Sequence, residues 1–435
     1  MSIADRLRSL RMDTTPLRAS RDFRLLFAAG TTFYFGGFMA YVAVPFQLYQ
    51  LTGSNFAVGA VGLVELLPLV VFGLYGGALA DHADRRKVLI SCGAAQLALT
   101  GVLALNAFRE RPDVWLIYLL AGLLAAAQAL QRPSKEALLP RTVRHDQITA
   151  ANALDSFGMQ AGVLVGPAVG GLVLAHAGAG WCFAANGAAL LVATALFVLL
   201  RPYPHAGDTE PSSLRGIREG LSYALGRRDL LGTYLVDIAA MLLAMPVVIF
   251  PALATTVFHR PELLGLLYSA ETVGAVLATA TSGWTGRVHH HGRAIVLAAA
   301  AYGGFIALAG LAEGIWLAMG FLALAGAADM ISGVFRGTVW NQTIPDTMRG
   351  RLAGIEMLSY SLGPMGGDVR AGLVADAWSV RGSILSGGLA CVGGVAVTAA
   401  VLRSFWRYDA RTDPHATRER EARAAADRSL PRLGP

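Results

Sequence analysis

Nine ionisable side chains interrupt the long apolar runs of this 435-residue chain: Glu65, Asp155, Asp237, Glu271, Asp329, Arg336, Glu356, Asp368 and Arg370. A charge at the centre of an apolar crossing helix costs about 2.5–3.5 kcal/mol, so such groups are kept where they face a bundle interior and do work. Asp155, Arg336 and Glu356 fall near segment ends, where a side chain can snorkel to water. Asp329 and Arg336 are seven residues apart, on nearly one helical face, and are expected to pair. Asp368 and Arg370 are two apart and cannot meet on a helix, so each needs another partner. Glu65, Asp237, Glu271 and Asp368 remain as deep acids without an evident counter-ion. A carboxyl held away from water favours its neutral form, which lets it take up and release protons near neutral pH. The same acids can instead be hydrogen-bonded structural groups or contacts for a polar or cationic substrate. Asp237 and Glu271 lead the proton-carrying candidates, with Asp368, Glu65 and Asp329 behind them.

The elements that hold these groups are membrane spans. The chain is 54% hydrophobic and only 15% charged, with mean hydropathy +0.51. Soluble domains carry about 25% charged residues, so there is too little charge here to clothe a water-facing surface. Apolar stretches long enough to cross about 30 Å of hydrocarbon recur along the sequence. They lie at 24–51, 55–80, 86–108, 113–134, 149–176, 180–200, 230–258, 262–284, 293–312, 315–338, 353–377 and 382–403. Their length favours helices over the alternating ~10-residue strands of a barrel. With the N-terminus inside, 31 of the 36 Lys and Arg fall on the cytoplasmic side. Four fall outside, at Arg109, Arg111, Arg260 and Arg381, and Arg370 lies within a span. That asymmetry predicts twelve spans with both termini cytoplasmic. The expected organisation is a cytoplasmic segment 1–23, a six-helix bundle 24–200, a linker 201–229, a second bundle 230–403 and a polar tail 404–435. Within the linker, Leu214, Ile217, Leu221 and Leu225 share one helical stripe, read either as a helix on the membrane face or as a solvated linker. The first 24 residues are polar and Arg-rich, and the apolar run that follows is too long for a signal-peptide core.

Several chemistries are excluded. The two lysines, Lys87 and Lys135, follow Arg86 and Ser134 rather than glycine, so there is no ATP-binding P-loop. No His precedes Glu, so there is no zinc-protease motif, and no Gly-x-Ser-x-Gly elbow occurs. His289, His290 and His291 are consecutive, point apart on a helix and make a poor chelate. Cys92, Cys182 and Cys391 read as small apolar packing residues. No enzyme activity, metal, cofactor, ATP or nucleic acid is expected. The expected partners are a small-molecule substrate, protons and the lipid bilayer, with the chain acting as a monomer.

Four sequence features carry a resemblance. The stretch "GALADHADRRKVLI" from Gly77 is echoed 206 residues later by "GWTGRVHHHGRAIVL" from Gly283, as in two related six-helix halves. Gly77–Arg86 resembles the loop signature of the major facilitator superfamily, with Gly77, Asp81, Arg85 and Arg86 in place. His82 stands where the pattern has Arg, and Asp84 where it has Gly. "GVLVGPAVGG", Gly162–Gly171, is similar to the fifth-span motif of exporters in that superfamily, with Gly162, Gly166, Pro167, Gly170 and Gly171 all present. Gly158, Gly162, Gly166 and Gly170 make a bare stripe that allows close helix packing, and Ala270, Gly274, Ala278 and Ser282 of span eight form a candidate partner stripe. "VAVPFQLYQLTGS", "FPALA", "GLLYSAETVGA" and "TIPDTMRGRLAG" resemble the enterobactin-exporter-like branch.

The resemblance implies an all-α membrane fold of two pseudo-symmetric six-helix bundles around a central cavity. It also implies a conformational latch, with Asp81 facing the start of span eleven near Arg351–Gly354, where a helix dipole favours an anion. Arg85 or Arg86 is expected to reach Glu136 at the end of span four. The function implied is secondary active export of a small amphiphilic molecule, a drug or siderophore-like metabolite, in exchange for protons. The alternative is a proton-coupled nutrient importer on the same fold.

Overall fold

The computed structural model of the chain describes residues 13–203, 219 and 222–429, without the side chains of 74–82, 346–347, 349–351, 353–359 and 422–429. Among the described residues there are helices and connecting turns and no β-strand. The long helices are α1 (Arg21–Thr52), α2 (Asn55–His82), α3 (Arg85–Ala107), α4 (Val114–Leu138), α5 (Ile148–Ala177) and α6 (Ala179–Val198). They continue as α7 (Arg228–Ala244), α8 (Leu264–Ala280), α9 (His291–Leu311), α10 (Ile315–Thr343), α11 (Asp346–Ala377) and α12 (Val380–Val401). A tail helix, α13 (Pro414–Ser429), follows. Among the described residues, eleven helices are long and apolar enough to cross a membrane, with α7 extended by short turns to Val257. The expected twelfth span is α11, 32 residues long, of which many side chains lie outside the described set. The linker stripe at Leu214, Ile217 and Leu221 also lies outside the described residues.

The helix surfaces explain the composition. Leu67 and Leu105 are 70% and 71% exposed, and Trp115, Trp316, Val397 and Val401 also face outward. In water such a surface drives aggregation; in lipid it is the solvated surface. The helix starts carry local caps. Ser20 Oγ accepts from the Phe23 N–H at 3.1 Å. Asp113 Oδ1 accepts from Trp115 N–H at 2.9 Å, and Ser379 Oγ from Gly382 N–H at 2.9 Å. Asp84 caps α3 in the same way, accepting from the N–H groups of Arg86 and Lys87. This accounts for the acid at the position where the superfamily loop has glycine: a capping carboxylate stabilises a helix start by about 1 kcal/mol.

The chain divides into two compact units. One takes the chain up to Gly53, Leu63–Pro211 and Arg260–Ser269; the other takes Ser54–Gly62, Ser212–His259 and Ala270 onward. Each unit therefore includes one end of a helix from the opposite half of the sequence. In the first unit α1 packs on α5 and α6, and α3 on α4 and α6. Phe23, Leu26, Leu89, Leu138, Leu154 and Phe197 form an apolar core at one end of these helices. In the second unit α9 packs on α10 and α12, and α7 on α11 and α12.

Small residues set the helix spacing. Within the first unit, the glycine stripe of α5 packs on α1. A Cβ on Gly162 would lie 2.8 Å from the Tyr34 Cβ, and one on Gly166 would lie 2.7 Å from the Phe38 Cβ. Gly158 faces Thr31 and Gly170 faces Met39 in the same register. The start of α8 meets the export motif backbone against backbone, Gly265 facing Pro167, Ala168 and Gly171. Ser269 Oγ adds a hydrogen bond to the Leu164 carbonyl at 2.9 Å. In the second unit, Gly274 of the span-eight stripe is pressed on Ala323 of α10. The sequence showed that both surfaces are bare, and bare surfaces match many partners. α5 runs unbroken through Pro167. Gly166→Leu is expected to overpack the α1–α5 contact by about 1–3 kcal/mol, while Gly101→Leu on α3, with open space around it, is nearly neutral. Thermal unfolding of the two purified variants checks the difference.

Candidate functional site

The intramembrane charges of the second unit gather on α7, α8, α10, α11 and α12. Asp237 of α7 is buried, and its carboxylate is held by the Arg336 guanidinium of α10 in a close ion pair. The side chains are 2% and 5% exposed. The reading of Asp237 as a deep acid without a counter-ion is thereby corrected. Its partner lies 99 residues away in the sequence, and only the packing of α7 near α10 brings the two together. Arg336 also faces Asp329, one end of the expected seven-residue pair, at 3.6 Å. That contact is the longer of the two, so Arg336 stands between two carboxylates. Asp329 is 39% exposed, so the two carboxylates of the fork differ in burial.

Glu271 sits at a close approach of α8 and α10, which is possible because Gly326 has no Cβ to collide with the Glu271 backbone. Its Oε1 is buried and has no hydrogen-bond partner among the described residues. It lies within electrostatic range of Asp329, and both act on the buried Tyr302 of α9. Arg370 of α11 donates to the Ser383 carbonyl of α12 at 3.3 Å and lies against Gly387, which leaves room for the guanidinium. That is the separate partner its spacing from Asp368 required. Asp368 meets the start of α2 through its backbone, against Gly59. Nearby, Trp340 donates its indole N–H to Thr233 Oγ1 at 2.8 Å and stacks on Tyr234 at 5.4 Å.

In the first unit Glu65 has no hydrogen bond or ion pair to a described residue. Asp155, expected to snorkel at a segment end, is instead paired with Lys135 of α4 at 2.7 Å. The Lys135 Nζ also donates to the Tyr34 hydroxyl at 3.2 Å and lies 4.6 Å from the centre of that ring. Gly30 of α1 makes room for the ammonium. Sequence reasoning weighed Lys135 only as a phosphate ligand; a lone lysine one helix away from a lone acid was the available signal.

The latch positions Gly77, Asp81 and His82 fall in the last turns of α2, whose side chains lie outside the described residues. Arg85 donates to the Ala137 carbonyl at 3.2 Å, one residue past Glu136. Glu136 pairs with Arg132 at 2.8 Å, one turn back on the same exposed face, so the expected Arg85–Glu136 bridge is not formed. Arg86 donates to the Val198 carbonyl at 2.6 Å, at the end of α6. Glu356 lies outside the described side chains.

One residue with a built environment was missed. Asp376, in the last turn of α11, caps the start of α2 within the second unit. Its carboxylate accepts from Ser54 Oγ at 2.6 Å, Asn55 N–H and Asn55 Nδ2 at 2.8 Å each, and Phe56 N–H at 2.9 Å. Four donors on one carboxylate satisfy N–H groups that a helix start otherwise leaves without partners. An acid at the end of one span and an Asn at the start of another looked like ordinary loop polarity.

The comparisons with known proteins fit this geometry. A family model described as transmembrane secretion effector, of the major facilitator superfamily, matches residues 13–428. The chain belongs to that family. Its members are transporters, not enzymes. The enterobactin exporter EntS of Citrobacter koseri is 27% identical over 357 residues, 81% of this chain and 85% of the exporter. EntS of Shigella boydii is 27% identical over 318 residues, 72% and 76% of the two chains. Among solved structures, a bacterial homologue of the human lysosomal transporter Spinster aligns with a TM-score of 0.69 at 15% identity, over 92% of this chain and 96% of that one. At that identity the likeness shows the fold alone.

Two outcomes follow from these contacts. Arg336→Met leaves Asp237 as an uncompensated buried charge and is expected to cost about 3–5 kcal/mol, most of it restored in the double variant Arg336→Met/Asp237→Leu. Unfolding of the purified single and double variants measures this. Asp376→Ala is expected to cost about 1–3 kcal/mol and to speed amide exchange at Asn55 and Phe56 selectively, read by hydrogen–deuterium exchange.

Proposed function

We propose that the protein is a secondary active exporter of a small amphiphilic molecule, of siderophore or drug type. It works by alternating access in the cytoplasmic membrane, as a monomer with both termini cytoplasmic. The observation that carries this reading is the match to the secretion effector family from residue 13 to 428, with every fixed position of the fifth-span export motif present. The relatives at 27% identity, named as enterobactin exporters, support a siderophore-like cargo.

Protons drive the exchange, and Glu271 carries them. Its unpartnered oxygen stands within electrostatic range of Asp329, which shares Arg336 with Asp237. When Glu271 is ionised it repels Asp329 and strengthens the field that draws Arg336 away from Asp237. When Glu271 is protonated, Arg336 rests on Asp237. A proton on Glu271 thus biases which carboxylate holds the guanidinium, and a ligand sharing that field competes with the proton. Asp368, Glu65 and Asp329 are secondary candidates for the same role. At the α2–α3 turn, Asp81, Arg85 and Arg86 serve as the latch that alternates with opening.

Two measurements test the reading. A deletion strain is expected to retain a siderophore-like metabolite or gain drug sensitivity; loss of nutrient uptake with neither effect overturns export. In proteoliposomes, an imposed pH gradient is expected to drive substrate movement by the wild type. Glu271→Gln keeps substrate binding within about threefold and loses the response to the gradient. An unchanged response in Glu271→Gln removes Glu271 from the coupling.

A further inference from the structure

The tail folds back within the second unit and walls one side of a half-open cavity of about 410 Å³ that the transport reading does not use. It lies among the turn before α9, the C-terminal end of α10, and the tail. Its polar lining comes from His289, His291, Thr338, Gln342, Arg411 and Arg420, and among the described residues no carboxylate lines it. The tail is fixed in place by several contacts. Ala410 N–H donates to the His289 carbonyl at 3.0 Å, and Arg420 of α13 donates to the Ala410 carbonyl at 2.8 Å. Phe405 is fully buried and fills the space left by Gly232 and Gly292. Asp413 caps α13 by accepting from the N–H groups of His415 and Ala416.

Charge and unsatisfied valence define what fits. Arg420 uses one N–H on Ala410, and the Arg411 guanidinium has no hydrogen bond or ion pair among the described residues, so the two offer free forks. The nearest acid, Asp409, is engaged by the Arg411 backbone N–H at 2.9 Å and by His290 at 3.5 Å. An anion is therefore the natural guest. A second observation narrows its kind. His291 is 5% exposed, its ring set between Phe335 at 5.4 Å and Tyr408 at 6.0 Å. Its Nε2 lies 3.1 Å from the Val288 carbonyl and so carries the hydrogen, which leaves Nδ1 as an acceptor with no partner. Gln342 Oε1 is a second buried acceptor without a partner. The guest must both accept from arginine and donate to these two atoms. A phosphate bearing hydroxyl groups does both; a fully ionised oxyanion such as sulfate does only the first.

We propose that this cavity binds a hydroxyl-bearing phosphate, gripped by Arg411 and Arg420 and donating to His291 and Gln342, and that the guest ties the tail to the second unit. The shared chemistry fits free dihydrogen phosphate, with its two O–H donors, and the glycerol-phosphate headgroup of an anionic lipid, with its two glycerol hydroxyls. The site is independent of the export reading and of the cargo.

The test uses the full-length protein. Thermal unfolding is followed in neutral detergent against inorganic phosphate, with sulfate at equal ionic strength as control, and then in nanodiscs of phosphatidylcholine with or without phosphatidylglycerol. Phosphate is expected to raise the midpoint saturably and sulfate to do so more weakly. Arg411→Gln/Arg420→Gln is expected to weaken the effect by about tenfold or more. Arg411→Gln alone, an exposed change that breaks no side-chain bond, keeps the test open if the double variant does not fold. A midpoint already raised by phosphatidylglycerol, with nothing added by free phosphate, assigns the guest to the lipid; a phosphate response that persists in phosphatidylcholine assigns it to the free ion. Equal responses of wild type and variants, equal action of sulfate and phosphate, or no response to any guest overturns the proposal.

Discussion

Hydrocarbon offers no hydrogen-bonding partner to a peptide group, and the rest of this structure depends on that constraint. Every segment that crosses must close its own backbone bonds, so the spans are helices. Because lipid tails are as apolar as leucine, burying leucine between helices gains little there, and contact must come from close approach of backbones. The glycines of α5 against α1, and those of α8 and α10 against each other, are that approach. The large apolar side chains are correspondingly free to point outward, and many do.

The same constraint shapes the charged groups. A guanidinium in such a setting must be paired, and Arg336 has two carboxylates within reach, one buried and one partly exposed. A group with two acceptable resting places is a natural two-state element, and its balance responds to any nearby change of charge. Glu271 is held next to this element by a glycine on the facing helix, which fixes the approach of two backbones. Packing and electrostatics are therefore not separate layers here: a side chain larger than hydrogen at Gly326 displaces the backbone that carries the acid.

The sequence disclosed periodic and local features well. Span positions, the uneven distribution of Lys and Arg, the exporter motif and the family all follow from patterns that the chain shows within a window of about 20 residues. What it concealed was pairing across helices. Asp237 looked solitary because Arg336 is far away in sequence, and Asp155 looked ready to snorkel because Lys135 sits on another span. The glycine stripe of α5 was visible, but its partner was not, since a bare surface carries no address. Asp84 is an instructive intermediate case. Its capping bonds reach only two and three residues along the chain, so its role was within reach of sequence, yet comparison with the superfamily pattern made it look like an anomaly.

The cap on α2 also bears on how the protein is made. The N–H groups of Asn55 and Phe56 find their acceptor at Asp376, 321 and 320 residues further along. At ribosomal speeds of about 5–20 residues per second, that acceptor emerges roughly 16–64 s after the helix it completes. Throughout that interval the start of α2 must be satisfied by water at the membrane surface or by other parts of the translocation machinery. The first half of the chain is thus inserted long before it is finished, and its earliest hairpin reaches its final hydrogen bonding only when the last spans arrive.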